Sequence, residues 1–238
     1  MIEGTRPVIE ALRAGRRKLH EVELPSTDSA ARRELETLAR AQGVAIRPGR
    51  GAGARAFAED FPEEPFEALL DQDGRRLLVA LDRVTDVGNL GSIARSAEVA
   101  GVHGLILESH HAPPLNAGAF RASAGALEHL RVGRTPNLRR ALDLARAEGF
   151  EVLVAEPGGV PMSELDPERL SGDLVWVFGS EDLGSRGGVR ARASESVGIP
   201  LGGRIASLGV AAAAAHLLLR TAEIRSRRSG TPSRSDTV

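Results

Sequence analysis

The chain has no cysteine and no tyrosine, one tryptophan and six phenylalanines, so aromatic residues make up only 3% of its 238 positions. Without cysteine there are no disulfides and no thiolate metal ligands, which fits a reducing interior. So few aromatic rings argue against a sheet on which nucleic-acid bases stack. No apolar run is long enough to span a membrane, and the start, MIEGTRPVIEAL, has no apolar signal core behind a basic end. These absences predict a cytoplasmic protein with no membrane contact. Neither the G-x-x-x-x-G-K-[ST] phosphate loop nor the G-x-S-x-G nucleophile elbow occurs. GAGARA (51–56) fits a dinucleotide pattern, but no long helix follows it. His110 and His111 are adjacent and share no helical ligand spacing with other candidates, so no metal is expected.

Net charge is also small, at −1, but it is unevenly spread. Residues 1–58 carry net +4, residues 59–74 net −7 with no base, residues 75–178 net −2 and residues 179–238 net +4. Two basic segments separated by an acidic one are compatible with RNA contact through both ends, and equally with solvated helix faces.

What is present reads as alternating strands and helices. PVIEALRAG (7–15), HEVEL (20–24), SAARRELETLARAQG (29–43) and VAIRP (44–48) predict a small α/β unit over residues 1–58, with a further strand at ARAFAEDF. Residues 59–74, rich in proline and acid, predict a linker. From residue 75 to 228, short apolar runs (LLVALD, GLILES, EVLVAE, LVWVF, VGIP) alternate with helical patterns, which predicts a largely parallel sheet covered by helices. The tail at 229–238 predicts disorder.

Three stretches have the layout of a site. In DVGNLGSIARSAEVAG (86–101), Leu90, Ile93, Ala94 and Ala97 form the apolar stripe, Asn89 is placed to cap the helix and Gly101 to end it. Arg95 lies on the polar side of a helix that follows a strand, where open α/β sheets bind ligands, and its guanidinium suits a phosphate. The plain alternative makes Asn89 a cap and Arg95 a surface charge. In LVWVFGSEDLGSRGG (174–188), Gly179 at the strand end permits close backbone approach, and Glu181 needs a partner, either a ligand or a helix N-terminus. In IPLGGRIASLGVAAAAAHLLL (199–219), Ser207 can cap a long Ala/Leu helix buried against the core or a second subunit.

Together these stretches resemble the SpoU/TrmH-type RNA 2′-O-ribose methyltransferases of the SPOUT class, over residues 75–225. The matching segments are 82–102, 121–130, 177–185 and 199–218, and EGTRPVIEALRAGRRKLHEVEL (3–24) resembles the substrate-binding domain that precedes the catalytic one. The resemblance implies a SPOUT-type fold with a deep C-terminal trefoil knot, although knots are otherwise nearly absent from proteins. It implies S-adenosylmethionine as cofactor, held by Ala155, Gly179, Ile199 and Leu208. It also implies a homodimer with the site at the interface, where Ala211–Leu219 help to bury the mate. Arg95, Asn89, Glu181 and Ser207 become the catalytic set, acting on a ribose 2′-hydroxyl of RNA, with rRNA favoured over tRNA. One position departs: the family has S-L-N where this chain has Ser207-Leu208-Gly209. That departure supports an alternative, a non-catalytic RNA-binding or ribosome-assembly factor that keeps the fold.

Overall fold

The computed structural model describes residues 1–71, 74–181, 183–204 and 208–229. The expected disordered tail therefore lies, from residue 230, outside the described residues. Two sheets organise the rest. The first comprises β1 (Ile2–Glu3), β2 (Leu19–Leu24), β3 (Ala45–Pro48) and β4 (Arg55–Ala58), with α1 (Thr5–Ala14) and α2 (Ala30–Ala41) between strands. Its order is β1-β4-β2-β3, and β2 and β3 run parallel. Gly15 ends α1 in the left-handed region, and Ser29 caps α2 by accepting the Arg32 N–H. Both helices cover one face, burying Val8, Ile9, Leu12 and Leu35 with Val22 and Ala56.

The segment expected as an acidic linker does more than connect. It adds β5 (Glu64–Pro65) to the second sheet, and the 3-10 turn that follows buries Phe66 and Leu69. Two of its acids are paired: Glu64 Oε1 accepts from Arg131 Nε at 2.6 Å, and Glu63 pairs with Arg134.

The second sheet continues with β6 (Leu77–Asp82), β7 (Gly104–Glu108), β8 (Arg131–Thr135), β9 (Glu151–Pro161), β10 (Leu174–Gly179) and β11 (Glu195–Gly198). The order is β11-β9-β10-β6-β7-β8-β5, and every neighbouring pair is parallel. Helices α3 (Val87–Val99), α4 (Ala117–Ala122), α5 (Leu138–Ala147), α6 (Glu168–Ser171), α7 (Gly187–Arg190) and α8 (Val210–Ser229) complete the set. Strand period 2 divides the core. Leu77, Val79, Leu81 and Trp176 pack toward α3 and α8, while Leu78, Ala80 and Val175 pack toward α5. Being covered on both faces, β6 and β10 read as unbroken apolar runs. Among the described residues no helix is long and apolar enough to cross a membrane.

Two elements differ from the sequence reading. The segment AGAFRASAGALEH (117–129), one of the helical patterns that alternate with the apolar runs, is interrupted: α4 stops at Ala122, Ala124 and Gly125 take φ of 50° and 91°, and a 3-10 turn runs from Ala126 to His129. At Gly125 the chain passes close to α1: a Cβ there would stand 2.7 Å from Glu10 Cβ. Strand β8, too polar to be read as one, carries the two arginines that meet the acidic segment.

The same junction joins the two sheets. Arg17, which follows α1, sends its Nε to Glu128 Oε2 at 3.2 Å, and its guanidinium lies 4.4 Å from the Phe120 ring centroid. The side chains of Arg17 and Glu128 are 5% and 0% exposed. Burial pushes the Glu128 carboxyl up from its usual range, and the Arg17 hydrogen bonds pull the other way.

Candidate functional site

A cavity of about 400 Å³ lies beyond the C-terminal end of β10, walled by β9, the β11–α8 connection and one side of α8. Ala155, Gly179, Ile199 and Leu208, which the sequence places far apart, all line it, and so does Glu181. Val197 and Leu217 supply apolar wall, and Glu156 adds a second carboxylate. The position follows the rule for parallel α/β sheets, in which ligands bind outside the carboxyl ends of strands. The volume is that of a small-molecule site.

The loop after β10 is held in one shape by several bonds. Ser180 and Gly184 form an antiparallel bridge, with Gly184 N–H on Ser180 O at 2.9 Å. A Cβ on Gly179 would stand 2.2 Å from the Gly184 carbonyl carbon. Gly179 is therefore required first by its own loop folding back on it, a closer constraint than the approach of a ligand. The next two amides are pinned from opposite flanks. Ser185 N–H donates to Glu156 Oε1 at 3.1 Å, from β9 on one side. Arg186 N–H donates to Asp82 Oδ2 at 2.7 Å, from β6 on the other. The Arg186 side chain repeats the contact, with Nε on Asp82 Oδ1 at 2.6 Å and Nη2 on Glu108 Oε2 at 2.8 Å. Glu108 Oε1 in turn accepts the Leu138 N–H at the start of α5.

Glu181 takes the helix N-terminus, one of the two partners the sequence allowed it. It lines the cavity, and its Oε1 accepts the Val210 N–H at 3.3 Å, so it sits at the N-terminus of α8 where a carboxylate is favoured. That helix begins 29 residues later, and Gly209 allows the arrangement: a Cβ there would stand 3.0 Å from the same oxygen. Ser207 lies outside the described residues.

The polar residues of α3 are placed elsewhere. Asn89 is not the cap. Asp86, in extended conformation, caps α3 by accepting the Asn89 N–H on Oδ1 at 2.7 Å, which leaves Asn89 half-buried inside the first turn. Gly101 ends the helix as expected, with φ of 71°. Arg95 is exposed, does not line the cavity, and has no ion pair or hydrogen bond among the described residues. One chain therefore assembles the pocket residues and Glu181, but not Arg95 with them. Helix α8 is buried on one side only: Ala214, Leu217 and Leu218 are covered, while Leu219 is 46% exposed and Leu208, just before the helix, 45%.

Sequence reasoning missed Asp82, Glu108, Glu156 and Arg186. Asp82 and Glu156 end apolar strand runs just as Glu181 does, so the same signal could have found them. The pairing through Arg186 had no local signal. Among the described residues no group of three or more His, Asp or Glu could hold a metal ion.

The parallel sheet, its pocket at the strand ends and the small unit ahead of it define an α/β protein with a ligand-sized cavity at its strand ends and an appended smaller sheet. Comparison with known proteins narrows this. The profile of the SpoU rRNA Methylase family matches residues 76–219, and that of the RNA 2′-O ribose methyltransferase substrate-binding domain matches residues 1–47. The chain belongs to the SpoU rRNA methylase family. It is 33% identical to an uncharacterized tRNA/rRNA methyltransferase of Mycobacterium tuberculosis, over 94% of this chain and 74% of the relative. It is also 33% identical to the 23S rRNA (guanosine-2′-O-)-methyltransferase RlmB of Photorhabdus laumondii, over 76% of this chain and 70% of that protein. Its fold matches the SpoU methyltransferase AviRb of Streptomyces viridochromogenes, solved with AdoMet, at a TM-score of 0.75 and 25% identity, covering 96% of this chain and 90% of that one.

Proposed function

We propose that this RNA methyltransferase transfers the methyl group of S-adenosylmethionine to a ribose 2′-hydroxyl of ribosomal RNA, and that it does so as a homodimer. The observation that carries the reading is the convergence of Ala155, Gly179, Ile199, Leu208 and Glu181 on one cavity. AviRb, which binds AdoMet, and RlmB, which acts on a guanosine 2′-hydroxyl of 23S rRNA, support the cofactor and the substrate.

The cavity fits that cofactor in kind. A flat apolar heterocycle suits the slot made by Val197, Ile199, Leu208 and Leu217, and the carboxylates of Glu156 and Glu181 suit a cationic ligand carrying hydroxyls. When bound, the cofactor supplies a methyl group on a sulfonium centre, and the chain must supply position and charge. A ribose hydroxyl is a weak nucleophile, so much of the acceleration falls to orientation. Arg95 grips the phosphate beside the target ribose with its guanidinium and stabilises the developing alkoxide. Asn89 and Ser207 orient the hydroxyl, and Glu181 holds the loop and the start of α8 in register.

Arg95 is exposed and unpaired in one chain, and exposed Leu208 and Leu219 flank α8, so a second copy covering that side completes the site. The expected C-terminal knot is part of the same reading and follows from the family resemblance. The test is transfer from labelled S-adenosylmethionine to ribosomal and transfer RNA, with the product sugar checked for resistance to alkaline cleavage. Arg95→Ala should abolish transfer while cofactor binding by calorimetry stays close to wild type. Equal loss of both would contradict the division of labour, and absence of transfer by the wild type would favour a non-catalytic RNA-binding factor.

A further inference from the structure

A second cleft, of about 740 Å³, lies away from the cofactor cavity, at the seam between the two sheets. One wall is the loop from β3 to β4, PGRGAGA (48–54), and the other carries Arg121 of α4. Three observations point to an anion. First, Arg50 and Arg55 are exposed and form no ion pair among the described residues, although Glu3 and Glu23 stand opposite Arg55 on the neighbouring strands, and Arg121 is 61% exposed beside Glu3 at 2.9 Å. Glu23 also lines the cleft, so three guanidinium groups face two carboxylates. Second, the N–H groups of Arg50, Gly51, Ala52 and Gly53 donate to no atom among the described residues, although the loop is anchored at Gly49 N–H, Gly51 O and Ala54 N–H. Consecutive free amides beside arginines are the chemistry that binds phosphate oxygens.

Third, neither Gly51 nor Gly53 has an internal reason to be glycine. Neither takes the left-handed conformation, and a Cβ at either would meet nothing closer than 3.8 Å. A glycine that neither φ nor packing demands is explained by something approaching from outside.

We propose that this cleft is a phosphate subsite for the backbone of the RNA substrate, held jointly by the β3–β4 loop and Arg121. The proposal rests on RNA being the substrate. It extends the contact beyond residues 1–47, which match the substrate-binding profile, and ties that domain to the catalytic one. The tie is direct. Ala122, next to Arg121, lies where a Cβ on Gly91 of α3 would stand 2.5 Å from it, and Arg95 follows one turn later on α3. A strand gripped at Arg121 is thereby indexed to the helix that carries Arg95.

The test compares wild type with the double variant Arg50→Ala/Arg55→Ala and with Gly51→Asp, measuring retention of protein-free ribosomal RNA between 50 and 300 mM KCl. Each phosphate contact contributes about 0.7–0.9 to the slope of log affinity against log salt, so the double variant should lose about 1.4–1.8. Gly51→Asp should weaken RNA binding further, and S-adenosylmethionine binding should stay at its wild-type value in both. Arg33→Ala, on α2, removes an arginine from the same domain away from the cleft and should change the slope by less than either. A wild-type slope in the double variant, or an equal loss in Arg33→Ala, overturns the proposal. So does competition by millimolar inorganic phosphate as effective as that by RNA, which would mark a site for free phosphate. Methyl transfer by the wild type is scored separately: its absence counts against the proposed activity, whereas an unchanged slope counts against the cleft alone.

Discussion

Asp82→Ala tests whether the pocket loop is held from beneath. Asp82 has no exposed surface and accepts two bonds from Arg186, at 2.7 Å from the amide and 2.6 Å from Nε. Removing the carboxylate leaves that amide with no acceptor, while the guanidinium keeps Glu108 at 2.8 Å. A hydrogen bond to a charged group contributes about 1.5–3 kcal/mol, and an orphaned buried donor costs about 1–3 kcal/mol. Breaking a wholly buried ion pair costs about 3–5 kcal/mol. The Arg186 side chain is 28% exposed and retains one partner, so the expected loss is at the low end of that range, about 3 kcal/mol. Asp82→Asn keeps the shape and one acceptor, and should cost about half as much. Glu156→Gln, which still offers an oxygen to the Ser185 amide, should cost less than either. Because Gly179, Ser180, Glu181 and Gly184 line the cavity, an unpinned loop also weakens the ligand: each 1.4 kcal/mol of lost pre-organisation is about tenfold in Kd. Urea unfolding, calorimetric titration with S-adenosylmethionine and amide exchange at Arg186 read the three effects. A stability loss below about 1 kcal/mol together with a wild-type Kd would refute the reasoning, because the pin would then carry nothing.

The junction and the odd glycine give two further expectations. Arg17→Ala leaves Glu128 buried and unpaired and removes the contact with Phe120, so it should cost about 3–5 kcal/mol and separate thermal unfolding into two steps, one for each sheet. A single transition shifted by less than about 1 kcal/mol would show that the sheets are joined by other contacts. Gly209→Asn should be nearly silent in stability, within about 1 kcal/mol, because Glu181 is exposed and its carboxylate can give way. It should nevertheless weaken cofactor binding and slow transfer by moving Glu181 off the Val210 amide. A gain in transfer would mean instead that glycine impairs the natural site.

The fold was legible where one segment carries its own instruction. The unbroken apolar runs of β6 and β10, the helical spacing of α5 with Asn137 before it, and the Ser29 cap of α2 all state their structure within a dozen residues. It was illegible where the instruction is a partner far along the chain. Strand β8 is polar because Arg131 and Arg134 answer Glu64 and Glu63, 67 and 71 residues earlier, and neither half of that exchange looks like sheet alone. The same exchange turns an acidic connector into part of the core.

The site divides in the same way. The residues that line the cavity were named through the family resemblance, whose motifs are short and local: Gly179 ends β10, Ile199 follows β11 and Leu208 precedes α8. What holds them is not local. Two consecutive amides are fixed by carboxylates from the strands on either side, 29 and 104 residues away in sequence, and the glutamate in the pocket is fixed by a helix start 29 residues on. Such a loop needs no stiff sequence of its own, since its rigidity is supplied by the sheet beneath it. That explains how glycines at 179, 184 and 209 can occupy a site that must be pre-formed: they remove side chains where backbone must touch backbone or carboxylate, and the neighbouring acids restore the order they give up. Arg95 lies outside this arrangement. Its side chain has no ion pair or hydrogen bond among the described residues, so on the proposed function its order would come from the RNA and a second subunit together, and a guanidinium fixed only when both are present would confine the developing alkoxide to the assembled complex.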